Sequence, residues 1–428
     1  MALINTNLIR TGVDKRRDSI IMWLESLIRF PSENRPPFGH EDKIQKFILQ
    51  ESENEGWEVD HFFPEDIPEI EKHPSWLEGR DYDNDRENVV ARWRGSGGGK
   101  SILLTGHSDV APFEPGDWKV TRPFEPLLKD GRLYGRGSAD MKGGLTASFW
   151  AMKLLKEEGF MPRGDIIFES IVDEEFAGGN GTLASRLRGY NADLALLTEP
   201  TGMKAAPACL GAFLGDIIVK GKGGMPFTGY EIPNPLEGTA RIIQLFSQWK
   251  SMWNEKNEHP LFTGNNRRLD LVLWNVEVKE KNEFTQMGTP LVAKLSWIVW
   301  GYPGLTVEEF YREFRGFWDP YFRSDDILKA FEITIAPTFH YVKPWETDPE
   351  GPEMKAVIDA YSAYSGVPPE VAGAPFSCDM AIYGEAGNPV IIFGPRGDNL
   401  HAPDEWVLIE DIYSLTGIIA QLIVNWCS

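Results

Sequence analysis

The chain has 428 residues, 42% hydrophobic and 25% charged, which is typical of a globular protein of about two or three domains. Its formal net charge of −21 disfavours nucleic acid and anionic membranes as partners, because both would repel it. No apolar stretch approaches the ~18 residues of a membrane helix, and the N-terminal segment lacks the charge order of a secretory signal. We therefore predict a cytoplasmic protein that acts on a small molecule.

In chain order, the hydrophobic pattern predicts a helix and then alternating strands and helices. Ile44, Phe47 and Ile48 recur at helical spacing, and Gly56 ends that helix. Four apolar runs predict buried strands: NVVARW, SILLTGH, DIIFESIV and ADLALLTEP. The run GLTASFWAMKLLKEEG predicts a helix between the second and third. This order predicts an α/β fold with a mostly parallel sheet sandwiched by helices.

The pattern changes near Gly211, where alternating strands and two helical runs begin. The α/β character returns after about Pro337, in NPVIIFGP and the closing helical run EDIYSLTGIIAQLIVNW. We predict a catalytic domain in two pieces, residues 1–212 and 336–428, interrupted by a smaller α+β domain at residues 213–335.

Histidines and carboxylates follow the ends of the predicted strands or lie in glycine-rich turns. They are His107, Asp109, Asp140, Asp173, Glu174, Glu175, Glu199 and His401. An acidic run is more often a solvated loop, but residues 173–175 terminate an apolar strand. Because the carboxyl ends of parallel strands meet at one edge of a sheet, these groups are expected to converge. Nitrogen and oxygen ligands without cysteine indicate a catalytic site for zinc, manganese or cobalt.

Several ordered motifs resemble the metallohydrolase family of acetylornithine deacetylase, succinyl-diaminopimelate desuccinylase, aminoacylase and carboxypeptidase G. They are GHSDVAP, DGRLYGRGSADMKGG, DEEFAGGNG, TEPT, VKGKGG, FGP and HAPDE, and they cover most of the chain. The resemblance implies one or two divalent ions per subunit. It also implies that the inserted domain is a lid through which the chain forms a homodimer.

The resemblance also implies roles for individual residues. It assigns His107 and Glu199 to one metal, Glu175 and His401 to the other, and Asp140 to both as a bridge. Glu174 is implied as the general base that takes a proton from the attacking water, and Asp109 as the residue that orients His107.

Three polar groups of the family are replaced in this chain. Met225 occupies the place of a lid histidine that stabilises the oxyanion in amide-cleaving relatives. Ile298 and Trp300 precede a Pro-Gly turn where relatives carry an arginine for the substrate carboxylate. Ala381 follows the Ser-Cys-Asp-Met segment where another family arginine is expected.

These departures leave more than one function open. The first hypothesis is hydrolytic deamination of an activated aromatic amine such as 5-nitroanthranilate, in which Met225 and Trp300 form apolar walls and Arg396 holds the substrate carboxylate. The alternative is a deacylase, amidase or carboxypeptidase acting on N-acyl amino acids or small peptides through other donors. An inactive scaffold relative is disfavoured, because every implied ligand and the implied base are present.

Overall fold

The computed structural model describes residues 4–82, 86–113, 116–175, 179–222, 229, 232–264, 269–279 and 289–428. The chain divides into two compact units. The first comprises Met1–Ala208, Glu346–Ala374 and Cys378–Ser428, and the second comprises Cys209–Trp345 with Pro375–Ser377. The segment predicted as the inserted domain, 213–335, lies within the second unit, which extends beyond it at both ends.

The secondary-structure elements are numbered along the described chain. The helices are α1 (Thr6–Ile28), α2 (Asp42–Asn54), α3 (Gly143–Glu157), α4 (Asn180–Leu187), α5 (Pro235–Lys256), α6 (Val307–Ser324), α7 (Pro352–Ser365), α8 (Met380–Glu385) and α9 (Ile409–Trp426). The strands are β1 (Asn34–Arg35), β2 (Phe38–Gly39), β3 (Glu58–Phe62), β4 (Asn88–Trp93), β5 (Ile102–His107), β6 (Leu127–Lys129), β7 (Arg132–Tyr134), β8 (Ile166–Ile171), β9 (Ala195–Leu197), β10 (Ala208–Cys209), β11 (Gly211–Lys220), β12 (Leu271–Lys279), β13 (Val292–Gly301), β14 (Glu332–Val342), β15 (Trp345–Glu346), β16 (Val390–Ile392), β17 (Gly397–Asp398) and β18 (Trp406–Leu408).

The main sheet of the first unit has the strand order β16-β9-β5-β8-β4-β3. The first four strands pair in parallel, and β4 pairs antiparallel with both β8 and β3, so β4 alone runs in the opposite direction. Every residue of β5 and β8 is buried, as expected for strands covered on both faces. The predicted α/β fold with a mostly parallel sheet is confirmed.

Register brings three strand ends together. His107 at the end of β5 pairs with Ile171 at the end of β8, and β9 lies on the other side of β5. The segments that follow β8 and β9 therefore leave the sheet beside His107. This is the edge at which α/β proteins build their sites.

The helix α1 is an element that the sequence pattern did not predict. Its buried residues include Ile9, Val13, Ile20 and Trp23, which lie in the hydrophobic core of the first unit. The charged run Asp14–Asp18 interrupts the apolar positions and hides their helical period. Among the described residues, no helix is long and apolar enough to cross a membrane.

The second unit contains an antiparallel sheet with the strand order β12-β13-β11-β14 and the helices α5 and α6. Aromatic side chains fill its core: Trp249 stacks on Trp253 at a centroid distance of 5.2 Å, and Trp297 on Phe314 at 4.6 Å. Trp300 lies on β13, opposite Ala212 of β11, and is partly exposed.

Candidate active site

His107 and Asp109 connect the ends of two neighbouring strands. The His107 ring is 1% exposed, and its Nδ1 lies 2.9 Å from the backbone oxygen and 3.6 Å from Oδ1 of Asp109. The Asp109 carboxylate accepts hydrogen bonds from the backbone N–H groups of Glu174 at 3.2 Å and Glu175 at 3.0 Å. Asp109 therefore fixes the ring of His107 and the segment after β8 at once. With Nδ1 directed to Asp109, Nε2 is the atom left to face the site.

Asp140 lies between the two histidines. Its Oδ1 is 3.2 Å from Nε2 of His107, and its Oδ2 is 3.2 Å from Nε2 of His401. Asp140 belongs to a tight turn before α3, has φ −117° and ψ 95°, and precedes a cis peptide bond. Gly137 in that turn has φ +80°, and a Cβ there would lie 2.5 Å from a methyl group of Val110, so the turn requires glycine.

The remaining carboxylates divide between the two imidazoles. Oε1 of Glu199 lies 3.6 Å and Oε2 of Glu174 lies 3.8 Å from Nε2 of His107. Oε2 of Glu175 lies 2.8 Å from Nε2 of His401, while its Oε1 accepts the backbone N–H of Ala111 at 2.9 Å. The structure thus brings together all the predicted ligands and the predicted base.

The electrostatics of the cluster favour a bound cation. Burial raises the pKa of both Glu174 and Glu199 well above the usual value, and neighbouring carboxylates add to this. Burial opposes protonation of His107, but Glu199 and other nearby acids raise its pKa. A divalent ion would offset the repulsion among these acids. Among the described residues, two groups have ligand atoms close enough to hold a common ion: His107 with Glu174 and Glu199, and His107 with Asp140 and Glu175. The donor set fits a hard or borderline divalent metal.

A buried network behind Asp109 was not found from the sequence. Nδ2 of Asn34 donates to Asp109 at 2.7 Å and to Asp173 at 3.1 Å. Arg80 and Arg86 also donate to Asp173, and Arg86 forms a pair of 2.8 Å hydrogen bonds with buried Glu41. The two residues of each hydrogen bond in this network are separated by 45 to 139 positions in the sequence, so no local motif identifies them.

Glu405 supports the turn that carries Asp140. Its Oε2 accepts from the backbone N–H of Gly137 and from Arg136, both at 2.9 Å. Its Oε1 accepts from the backbone N–H groups of Ala139 at 3.0 Å and Asp140 at 3.2 Å. The sequence motif HAPDE contains both Glu405 and His401, which is the only local signal for this role that we find in the described chain.

The structure does not place the three predicted substrate-binding residues together with the predicted metal ligands. Met225 lies outside the described residues, and Trp300 belongs to the second unit. The Arg396 guanidinium donates to Asp411 through Nε at 2.7 Å and Nη2 at 2.6 Å, beside a cavity of about 330 Å³. Binding of a substrate carboxylate by Arg396 stays a prediction. A substrate carboxylate would have to compete with Asp411 for the guanidinium group of Arg396.

A sequence model of peptidase family M20/M25/M40 matches residues 103–425, the segment that carries all the proposed ligands. The chain belongs to this family. It is a hydrolase of carbon–nitrogen bonds, and the predictions of family and enzyme class are confirmed.

Curated relatives agree with this assignment. The N-formyl-4-amino-5-aminomethyl-2-methylpyrimidine deformylase of Bacillus subtilis is 27% identical over 98% of this chain and 97% of its own length. The succinyl-diaminopimelate desuccinylase of Methylobacillus flagellatus is 27% identical over 77% of this chain and 84% of its own.

Solved structures share the fold. A dipeptidase from Saccharomyces cerevisiae superposes with a TM-score of 0.74 at 15% identity, covering 99% of this chain and 98% of its own. Human carnosine dipeptidase 1 superposes with a TM-score of 0.72 at 14% identity, covering 99% of both chains.

Proposed function

We propose that this protein hydrolyses the amide bond of small N-acyl amines and removes a formyl or similarly short acyl group. The observation that carries the proposal is the position of Asp140, whose two oxygens each lie 3.2 Å from the Nε2 atom of a different histidine. With Glu199 beside one imidazole and Glu175 beside the other, these residues would hold divalent metal.

The residues that would hold the ions are the ones grouped above, with zinc, manganese or cobalt as the metals that suit these donors. A divalent ion bound there lowers the pKa of water toward ~7 and polarises a carbonyl oxygen. Asp109 holds His107 in place through Nδ1. Glu174 accepts a proton as water adds to the acyl carbon, and it delivers that proton to the nitrogen as the C–N bond breaks. The products are a carboxylic acid and an amine.

Glu174 has to be distinguished from a metal ligand, because its Oε2 lies 3.8 Å from Nε2 of His107. The nearer Glu199 provides a carboxylate for the same side of the site. Burial and adjacent acids raise the pKa of Glu174, which increases its affinity for a proton. These facts support assigning proton transfer to Glu174.

The substrate class follows from the replaced arginines. Ile298 and Trp300 stand where the family resemblance leads us to expect an arginine for a substrate carboxylate, and Ala381 stands where another family arginine is expected. The deformylase relative, which matches over nearly the whole chain, is named for a substrate with an N-formyl group, a pyrimidine ring and no carboxylate. An N-acyl amine without a carboxylate therefore suits this chain better than an N-acyl amino acid.

Hydrolytic deamination of 5-nitroanthranilate is kept as a second candidate, because Met225 stands in place of the lid histidine. That substrate carries a carboxylate, and Arg396, its predicted partner, is paired with Asp411. This pairing favours the N-acyl amine.

The test is a turnover assay of the zinc- or manganese-loaded protein on N-formylbenzylamine, an N-acetyl amino acid, a dipeptide and 5-nitroanthranilate. We expect formate release from the first. Release of ammonia from the nitroanthranilate alone would replace the proposal by deamination. Turnover confined to the amino acid and peptide substrates would replace it by an ordinary deacylase or peptidase.

A further inference from the structure

Asp173 has an unusual backbone conformation at a position that matters for the candidate site. It lies directly before Glu174, is fully buried and has φ +69°. The left-handed region is uncommon for a residue with a side chain, and such a conformation persists where surrounding contacts hold it. At this point the chain leaves β8 and continues to Glu174 and Glu175. The contacts that hold Asp173 therefore bear on where both glutamates lie.

Three buried side chains from residues 80–86 hold the Asp173 carboxylate. Nε of Arg80 donates to its two oxygens at 2.9 and 3.0 Å. The hydroxyl of Tyr82 donates to Oδ2 at 2.7 Å, and Nη2 of Arg86 donates to Oδ1 at 3.1 Å. Arg86 also forms an ion pair with Glu41, so two guanidinium groups balance the two carboxylates.

The same part of the chain also holds Asn180, the first residue of α4. Its Oδ1 accepts the backbone N–H of Leu77 at 2.8 Å, and its Nδ2 donates to the backbone oxygen of Leu77 at 2.9 Å. Nδ2 also donates to the hydroxyl oxygen of Tyr82 at 2.9 Å. One buried hydroxyl group thus connects Asp173 with Asn180, which lie before and after the two site glutamates in the sequence.

Arg80 reaches the same glutamates by a second route. Its Nη2 donates to Oδ1 of Asn34, which orients the amide group. Nδ2 of Asn34 then donates to Asp109 at 2.7 Å and to Asp173 at 3.1 Å. Asp109 in turn accepts the backbone N–H groups of both site glutamates. The link between Arg80 and the candidate site is therefore an unbroken series of hydrogen bonds.

We propose that Tyr82 and Arg80 are positioning residues, which set the places of Glu174 and Glu175 from behind the site. The proposal rests on the proposed function for the proton-transfer role of Glu174. Residues that orient metal ligands through hydrogen bonds typically change metal affinity or activity about 10- to 100-fold when they are replaced.

The main test variant is Tyr82→Phe, which keeps the buried ring and removes one oxygen. Arg80→Lys is the second variant, because it keeps the charge and loses the planar pair of donors. The control is Tyr190→Phe, which also removes a tyrosine hydroxyl from an aspartate, here Asp60 on the edge strand β3. Titration calorimetry measures Mn²⁺ binding to the metal-free protein. The visible spectrum of the cobalt-loaded protein reports the arrangement of the ligands, and N-formylbenzylamine at saturating manganese gives kcat and KM.

We expect Tyr82→Phe to weaken Mn²⁺ binding and to lower kcat about 10- to 100-fold, with KM changed less than about threefold. The cobalt spectrum should shift, and Arg80→Lys should act in the same direction. Tyr190→Phe should leave all these quantities at their wild-type values. A lower urea midpoint in Tyr82→Phe, with wild-type Mn²⁺ affinity, cobalt spectrum and kcat, would overturn the proposal, because the hydroxyl would then contribute to stability alone. If Arg80→Lys fails to fold, Tyr82→Phe decides the matter by itself.

The metal titration separates this inference from the proposed function, since it requires no turnover. Weaker Mn²⁺ binding in Tyr82→Phe supports the inference even if none of the tested amides is hydrolysed. Unchanged Mn²⁺ affinity and unchanged kcat in this variant overturn the inference even if formamides are hydrolysed.

Discussion

Glu405→Gln is the substitution whose effect follows most directly from the structure. Glu405 is 1% exposed and accepts four hydrogen bonds, one from the buried side chain of Arg136 and three from the backbone of the turn that ends at Asp140. Glutamine keeps one acceptor oxygen and puts a donor where the other was. Two of the four donors then lose their acceptor, and Arg136 loses its buried counter-charge.

The expected loss of unfolding free energy in Glu405→Gln has two contributions, which are not additive. Breaking a buried ion pair by removing one partner costs about 3–5 kcal/mol. Each buried donor left without an acceptor costs about 1–3 kcal/mol. Relaxation of the turn recovers part of this, so we expect the free energy of unfolding to fall by about 3–5 kcal/mol. Because the turn positions Asp140, affinity for the divalent ion should fall as well.

Urea unfolding of the metal-free protein measures the first effect, and metal titration at a temperature where the variant is folded measures the second. The control is Glu410→Gln, whose side chain is 64% exposed in an ion pair with Arg17. Exposed pairs contribute about 0–1 kcal/mol, so this control should change little. A loss below about 1 kcal/mol for Glu405→Gln would refute the reasoning, because the carboxylate would then be dispensable to the turn.

Three further predictions concern other positions. Glu174→Gln should lower kcat about 10²- to 10⁴-fold and leave the metal content unchanged, as measured by steady-state kinetics and elemental analysis; lost metal would make Glu174 a ligand. Asn34→Ala should lower the free energy of unfolding by about 1–3 kcal/mol, since Asp109 loses a buried donor; an unchanged urea midpoint would contradict this. Burial opposes ionisation of Asp60, but the hydrogen bonds from Arg188 and Tyr190 lower its pKa. Because this folded pKa is lowered, its stabilisation, below about 1 kcal/mol, is present at neutral pH and lost as pH falls below the usual pKa of an aspartate. Asp60→Asn should therefore be less stable than the wild type at pH 7, and the difference should shrink as the pH falls through the folded pKa of Asp60; an unchanged difference would exclude this linkage.

The fold was predictable from the sequence where short apolar runs indicate buried strands. The run NVVARW became β4, and SILLTGH placed His107 at the last position of β5. Acidic residues and histidines at the ends of strands were enough to predict a cluster, because the carboxyl ends of parallel strands lie at the same edge of a sheet. The reversed direction of β4 was not predictable from these runs, since a buried strand has the same pattern in either direction.

The supporting network was not predictable for a different reason. Asn34 reaches Asp109 across 75 positions, and Arg136 reaches Glu405 across 269. Neither arginine nor asparagine carries a periodic signal, and their partners are set by loops whose paths depend on the folded chain. Sequence reasoning therefore found the histidines and carboxylates of the candidate site and missed the residues that hold those side chains in place.

The buried acids of the first unit can be separated by what balances their charge. Asp173 is balanced by Arg80 and Arg86, and Glu405 by Arg136. Asp109 is balanced by backbone N–H groups and Asn34. The carboxylates of these acids are satisfied by hydrogen bonds and ion pairs within the protein, so we assign them a structural role.

The acids without such partners are the ones to which we assign roles in the candidate site. Glu199 and Asp140 lie beside imidazoles and other carboxylates, an arrangement that suits a divalent cation. Glu174 lies beside the same group, and its longer distance of 3.8 Å from Nε2 of His107 agrees with the proton-transfer role that we propose for it.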